Sequence, residues 1–272
     1  SNNYDSEYLN ENLFEIKNDL VAKRADFSEK RIILKQELNN IQTKQHELVD
    51  QHNLLSSNRF YYRKEITELI NVLRKQLNNY YQKKIDIKPL CEYLEITDES
   101  WRNAIEGYLN TQRFDIIIEP EYFTKAMQIY EQYKNSHGIF GVGIVDVAKL
   151  DKYQDTLEDS LANYVTSYNS YAKKYANMLL NRVKCVDTVE QLPMYKTAIT
   201  KTCMVYNNYT VRALNPKVYQ QPYVGLEALK IQRTIIEEQL NQIENEIKVK
   251  GKQYQDINRN LKIINKSQID FL

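Results

Sequence analysis

Glycine and proline are scarce in this chain, and they are nearly absent from its two ends. All five prolines (Pro89, Pro120, Pro193, Pro216, Pro222) lie between residues 89 and 222, and five of the six glycines lie between 107 and 225, with Gly251 alone outside. Both residue types interrupt long helices. Their absence from 1–86 and 226–272 therefore permits uninterrupted helices there and confines turns and strands to 87–225. Cysteine is also sparse: Cys91, Cys185 and Cys203 are odd in number, widely spaced and form no CxxC. Neither a disulfide framework nor a zinc site is indicated, and the three read as small apolar residues in a reducing compartment. No apolar run approaches the roughly 20 residues that cross a bilayer. No basic–apolar–small-residue leader precedes the chain. The expectation is a cytoplasmic protein with no membrane partner.

Charge of one sign is lacking as well. The whole chain has 37 Lys/Arg against 36 Asp/Glu, net +1. Within 87–225 there are 15 Lys/Arg and 16 Asp/Glu, so that stretch is near −1. Bulk charge does not indicate a strongly basic DNA-binding module and leaves local patches open.

What the ends do contain is periodicity. Stepping alternately by four and three from Leu229 gives Arg233, Ile236, Leu240, Ile243, Ile247, Lys250, Tyr254, Ile257, Leu261, Ile264, Gln268 and Phe271. A 3.5-residue repeat held for about six heptads argues for a coiled coil. The first 86 residues carry three shorter stripes: Leu13, Ile16, Leu20 and Phe27; then Leu34, Leu38, Ile41, Gln45, Leu48, His52 and Leu55; then Tyr62, Ile66, Leu69, Leu73, Leu77 and Tyr80. Ser56-Ser57-Asn58 marks a break or stutter between the last two. Each arm alone exposes an apolar stripe, so the two are expected to pack on each other. They leave and re-enter one insert, so they run antiparallel, with 226 near 86 and 272 near 40. Residues 1–40 are then left without an intramolecular partner. His46 and His52 fall on different helical faces and are not a metal pair.

The insert alternates short apolar runs with helical patterns. Strands are expected at Leu90–Ile96, around Ile116–Ile118, at Ile139–Val145, at Lys184–Val186, at 196–200 and at 203–213. Helices are expected after Thr97 or Asp98, with Trp101, Ile105 and Leu109 in one stripe; from Pro120, with Phe123, Met127 and Tyr130; over 170–182; and after the capping-box pattern Asp187-Thr188-Val189-Glu190. The expected fold class is α+β or α/β: a small mixed-sheet domain (87–225) at the tip of an antiparallel intramolecular coiled coil built from arms 1–86 and 226–272.

Catalytic motifs are absent. There is no GxxxxGK[ST], no GxSxG and no HExxH. His137 is the only histidine of the insert, and an enzymatic reading would need a polar pocket around it or Glu106. Glycine within a strand marks close backbone approach or a docking edge. The run Gly138, Ile139, Phe140, Gly141, Val142, Gly143, Ile144, Val145 is either a strand pairing with another subunit or an internal strand packed tightly against a helix. Two lysine-rich clusters, Lys83, Lys84 and Lys88, then Lys173, Lys174, Arg182 and Lys184, are candidate DNA contacts or simply solvated faces.

Five runs narrow the choice: CEYLEI (91–96), WRNAIEGYL (101–109), FDIIIEPEYF (114–123), GIFGVGIVDVAKL (138–150) and NYTVRALNP (208–216). They resemble the hinge of the SMC-like subunit, JetC, of bacterial Wadjet plasmid-defence systems, which are similar to MukB-type condensins. The resemblance covers the insert and the adjoining arms. It implies a homodimer joined through the hinge, and the glycine pattern places the expected dimer surface at or beside Gly138–Val145. It implies kleisin, winged-helix and nuclease partners, double-stranded DNA as the substrate of loop extrusion, and plasmid defence as the role. It further implies an ABC-type ATPase head, with ATP and Mg²⁺, at the far end of the arms. This sequence carries no ATPase motif, so it reads as an excised hinge-and-arm fragment that needs no cofactor and dimerises without hydrolysis. The alternative is a stand-alone scaffold or adaptor with a globular recognition head on a coiled-coil stalk.

Overall fold

A computed structural model describes residues 2–267, with side chains from Tyr8 onward. Gln268 and Phe271 of the C-terminal stripe lie outside the described residues. In chain order the elements are α1 (Asn2–Ser56), α2 (Lys64–Tyr81), β1 (Lys88–Pro89), α3 (Leu90–Tyr93), β2 (Leu94–Ile96), α4 (Arg102–Leu109), β3 (Ile116–Ile117) and α5 (Pro120–Tyr133). There follow β4 (Val165–Ser167), α6 (Ser170–Leu180), β5 (Lys184–Val186), β6 (Thr197–Thr200), β7 (Met204–Asn207), β8 (Thr210–Ala213), α7 (Pro216–Tyr219) and α8 (Gly225–Lys266). The chain forms two compact units, one from 1–53 and 234–272 and the other from 54–233. The second interrupts the sequence of the first.

The first unit is an antiparallel helix pair. Its seam follows the expected heptads: Ile236, Ile243, Leu261 and Ile264 are buried, and Leu240, Ile247, Lys250, Tyr254 and Ile257 are half-buried. Facing them, Leu48 is buried and Leu20, Phe27, Leu34, Leu38, Ile41 and Gln45 are half-buried. Lys250 Nζ lies 2.7 Å from Glu37, and His52 Nε2 lies 3.0 Å from Glu237. Advancing along α1 from 37 to 52 thus retreats along α8 from 250 to 237, which fixes the direction. It also corrects the register expected from sequence. Residue 40 faces the region just before 250 rather than residue 272, and the stretch from Val21 to Arg31 shares a groove with Leu261 and Asn265. Residues from about Val21 to 40 therefore face α8. Leu13 and Ile16 do not share in this burial, at 45% and 53% exposed.

Gly251 sits mid-way along α8, and a Cβ built there meets nothing within 4 Å. Gly251→Ala should raise the stability of the helix pair by about 0.5–1 kcal/mol, because alanine restricts the unfolded backbone and meets no clash. Thermal melting followed by far-UV circular dichroism checks this, and a lowered midpoint would contradict it.

The reason for the register shift is the break at Ser56-Ser57-Asn58. It is real: α1 stops at Ser56, Asn58 takes a left-handed φ of 54°, and the Arg59 amide closes back on the Leu54 carbonyl at 3.0 Å. Beyond it, α2 belongs to the globular unit. Its i, i+3, i+4 stripe of Ile66, Leu69, Ile70, Leu73 and Leu77 is buried in the main core and packs on α5. The third N-terminal stripe is thus insert core rather than arm.

Within the globular unit, β1 pairs antiparallel with β3, and β2 antiparallel with β4. The largest sheet has the order β5-β6-β7-β8, parallel for the first pair and antiparallel thereafter. The mixed sheet expected from sequence is present, with corrections. Leu90–Ile96 is not one strand: Leu90–Tyr93 coils as α3 after the extended Pro89, and only Leu94–Ile96 is strand. A continuous apolar run does not separate a buried turn of helix from a strand. On α5 the buried stripe is Tyr122, Ala126 and Ile129, one residue before the expected one, and Met127 is 51% exposed. The short helix after β5 is a 3₁₀ turn capped by Thr188 rather than Asp187, with the Gln191 side chain accepting from the Asp187 and Thr188 amides. All three cysteines are free, two of them buried. Among the described residues no helix is long and apolar enough to cross a membrane.

Candidate docking edges of the globular unit

The run Gly138–Val145 is not a regular strand. Gly138 and Gly141 have φ of +63° and +76°, values that an L side chain resists, and they break the run into two turns. Only its end pairs with a neighbour. The Ile116 amide donates to the Gly143 carbonyl at 2.8 Å, and the Val145 amide donates to the Ile116 carbonyl at 3.0 Å, which lays Ile144 parallel to β3. Gly143 is there because of a neighbour rather than a turn. A Cβ at this position would stand 2.5 Å from Asp115 Oδ1, and the Gly143 amide donates to that same oxygen at 3.0 Å. The other Asp115 oxygen accepts from the Tyr175 hydroxyl at 2.6 Å. Burial pushes the Asp115 carboxyl above its ordinary value, against the pull of these two hydrogen bonds.

The internal-packing reading is realised in part, though without a regular strand. Ile139, Val142 and Val145 are buried in the core, while Phe140 is 61% exposed. Among the described residues, the backbone N–H and C=O groups of Phe140, Gly141 and Ile144 have no protein partner. Only at Ile144, where the run borders β3, does it form an open sheet edge. β8 is another, since it ends the four-stranded sheet and all four of its residues are exposed. The opposite side of that sheet is closed: Ser160 bridges to Lys184, and the Cys185 amide donates to the Asp159 carbonyl. Sequence reasoning singled out Gly138–Val145 through its glycines. It did not single out β8, which as a four-residue half of a hairpin looks like any other strand.

The positively charged candidates are placed individually. The Lys173 ammonium turns inward onto the Ala162 and Val165 carbonyls at 3.1 and 2.5 Å, and burial lowers its pKa. Lys174 pairs with Asp151 at 2.6 Å and Lys88 with Asp86 at 3.4 Å, and Lys184 donates to the Glu158 carbonyl at 3.3 Å. Lys83 lies 3.4 Å from Glu121. Lys83, Lys84 and Arg182 are the exposed members of the set. The groups named for a catalytic pocket are also occupied. His137 bonds Ser136 at 2.9 Å and packs edge-on against Tyr133. Glu106 is fully buried: its carboxylate receives Arg113 at 2.5 Å, Arg102 at 3.5 Å, and the amides of Tyr223 and Val224 at 2.7 Å each. No group of three or more His, Cys, Asp or Glu among the described residues is arranged to hold a metal.

The Glu106 cluster is the feature that sequence reasoning missed. Arg102 also donates to the Val224 carbonyl at 2.8 Å, and Arg113 to the Val218 carbonyl at 2.7 Å. The Tyr223 hydroxyl reaches the Tyr61 carbonyl at 3.2 Å, and Arg233 reaches the Leu55 carbonyl at 2.9 Å. A carboxylate on α4 thus ties down the segment that enters α8, and that segment holds the segment that leaves α1.

No protein-family model matches the chain, and no curated protein matches it. Among solved structures it is similar to the Smc hinge domain with an extended coiled coil from Pyrococcus furiosus, at 14% identity and TM-score 0.42, over 94% of this chain and 97% of that one. It is similar to an SMC hinge domain from Geobacillus stearothermophilus, solved as an asymmetric dimer, at 10% identity and TM-score 0.45, over 92% and 98%. It is similar to a structure of the folded elbow of cohesin at 16% identity and TM-score 0.43, over 96% of this chain and 41% of that one.

Proposed function

We propose that this chain is the dimerisation hinge of an SMC-type protein together with its adjoining coiled-coil segments, and that Gly138–Val145 is part of the surface joining two copies. The observation that carries the reading is the open edge at Ile144 with the unpaired backbone groups of Phe140 and Gly141 beside an exposed phenyl ring, in a domain whose chain enters and leaves through an antiparallel helix pair. An unpaired edge is a template for a strand from another molecule. β8 supplies a second such edge in the same unit. The finer assignment, to the SMC-like subunit of Wadjet-type plasmid defence, rests on the residue runs quoted above. Under it the full protein extrudes DNA loops with kleisin, winged-helix and nuclease partners, and its ATP chemistry belongs to a head outside this sequence.

Sedimentation equilibrium tests the dimer. The chain should behave at twice its 32.3 kDa at tens of micromolar, and Phe140→Asp should weaken association by at least about 100-fold, since a charge would be desolvated at the joint. Phe140 is exposed, so the variant keeps its fold. A wild-type monomer, or a dimer indifferent to Phe140→Asp, would overturn the assignment. Direct DNA contact is the secondary part of the proposal and falls on Lys83, Lys84 and Arg182. Such binding must weaken steeply with salt, and binding that ignores salt would remove it.

A further inference from the structure

A groove of about 460 Å³ opens between the 193–196 loop and the β7–β8 hairpin, lined by Pro193, Tyr195, Lys196, Tyr206, Asn208 and Tyr209. Its chemistry is unusually one-sided. Three tyrosines and a proline offer flat apolar faces. Lys196 is its one charged group, with no carboxylate in the lining. Among the described residues, the side chains of Tyr195, Tyr206, Tyr209 and Asn208 make no hydrogen bond, and Lys196 makes no ion pair. Tyr206 packs its ring partly onto Val186, Leu192 and Ala198, so the floor is anchored while its hydroxyl stays free.

The hairpin turn holds the second observation. Asn208 and Tyr209 have φ of 48° and 58°, the left-handed pair of a type I′ turn. Asparagine suits the first position. At the second, glycine is the usual residue, and a bulky side chain is strained. Here that strained residue is a tyrosine with 95% of its surface exposed. Nothing in the fold uses its ring, so a strained position displays an aromatic side chain to solvent.

We propose that this groove binds an extended polyproline II segment of a partner protein, one that carries a carboxylate to meet Lys196. Polyproline II chains have no internal hydrogen bonds and present ring faces and bare carbonyls. Grooves that take them are lined with aromatic rings and edged with hydrogen-bond donors, which the free tyrosine hydroxyls, the Asn208 amide and Lys196 supply. A nucleic acid is the poorer fit, because a single lining cation neutralises too little of a phosphate backbone. The groove lies on the face of the sheet, out of which Tyr206 projects, rather than along the edge that β8 offers. Peptide binding and dimerisation can therefore be read out separately.

The test is fluorescence anisotropy of a labelled oligoproline carrying one aspartate, titrated with the full chain. Saturable binding is expected, with Tyr195→Ala and Tyr209→Ala each weakening it about tenfold or more. Tyr209→Gly is the sharper variant. It should raise the melting temperature, because glycine relieves the left-handed turn, and still weaken the peptide as much as alanine does. A glycine–serine peptide with one aspartate should not bind. Absence of oligoproline binding at millimolar concentration would overturn the proposal. So would competition by oligothymidine with steep salt dependence, or a Tyr209→Ala chain that loses its dimer, which would mean that a second copy fills the groove.

Discussion

Replacing Glu106 by alanine should lower the stability of the globular unit by about 3–5 kcal/mol, the usual loss when one partner of a buried ion cluster is removed. The magnitude follows from what is left behind. Arg102 and Arg113 are 6% and 5% exposed, and each loses its contact with the carboxylate. The amides of Tyr223 and Val224 lose the only acceptor they have, and each orphaned buried donor costs about 1–3 kcal/mol. Part of the loss is offset: Arg102 keeps Glu99 at 2.5 and 2.8 Å, and Arg113 keeps the Val218 carbonyl and its stacking on Phe114 and Tyr223. A unit of this size should then melt roughly 6–20 °C lower, read by the fluorescence of Trp101, which lies in the same unit at 3% exposed. Glu106→Gln should fare little better, because one carbonyl oxygen cannot serve four donors and its amide adds two more. Glu131→Ala is the control. That carboxylate also forms an ion pair, with Lys134 at 2.7 Å, but at 73% exposed, and its loss should fall within about 0.5 kcal/mol. A Glu106→Ala chain as stable as Glu131→Ala would mean that the cluster is not the tie described above.

Glu106 also shows where sequence reading stops. The 3.5-residue stripe from Leu229 to Ile264 was legible because burial in a helix pair depends on spacing alone, and every described position of that stripe is buried or half-buried. The break at residues 56–58 was legible for a similar local reason. Whether a stripe packs on the other arm or on the insert is not local: Ile66–Leu77 has the same period as Leu34–Leu55, and only its tertiary partner α5 separates them. The glycines at 138, 141 and 143 serve two purposes. Two of them turn the chain, and the third makes room for Asp115, a neighbour 28 positions away in sequence. Glu106, Arg102 and Arg113 read as an ordinary amphipathic helix and its end. Their meeting with residues 218–224, more than a hundred positions on, leaves no mark in the spacing.

The placement of α2 can be decided by a second large effect. Leu69 is fully buried in the main core of the globular unit, and Leu69→Ala should cost about 2–5 kcal/mol through lost transfer energy and the cavity left behind. A leucine buried in a coiled-coil seam would cost a similar amount, so the size alone does not discriminate. The signal that moves does. Trp101 is the sole tryptophan and belongs to the unit formed by 54–233, so its fluorescence follows that unit's unfolding. Far-UV circular dichroism is weighted instead toward the long helices α1 and α8. Leu69→Ala should displace the Trp101 transition downward by several degrees or more. Ile243→Ala, at a buried position of the helix pair, should displace the far-UV transition and leave Trp101 nearly where it was. If Leu69→Ala instead behaved like Ile243→Ala, α2 would be arm after all. The helix pair would then start at 86 rather than at 56, and the facing of Glu37 with Lys250 and of His52 with Glu237 could not hold.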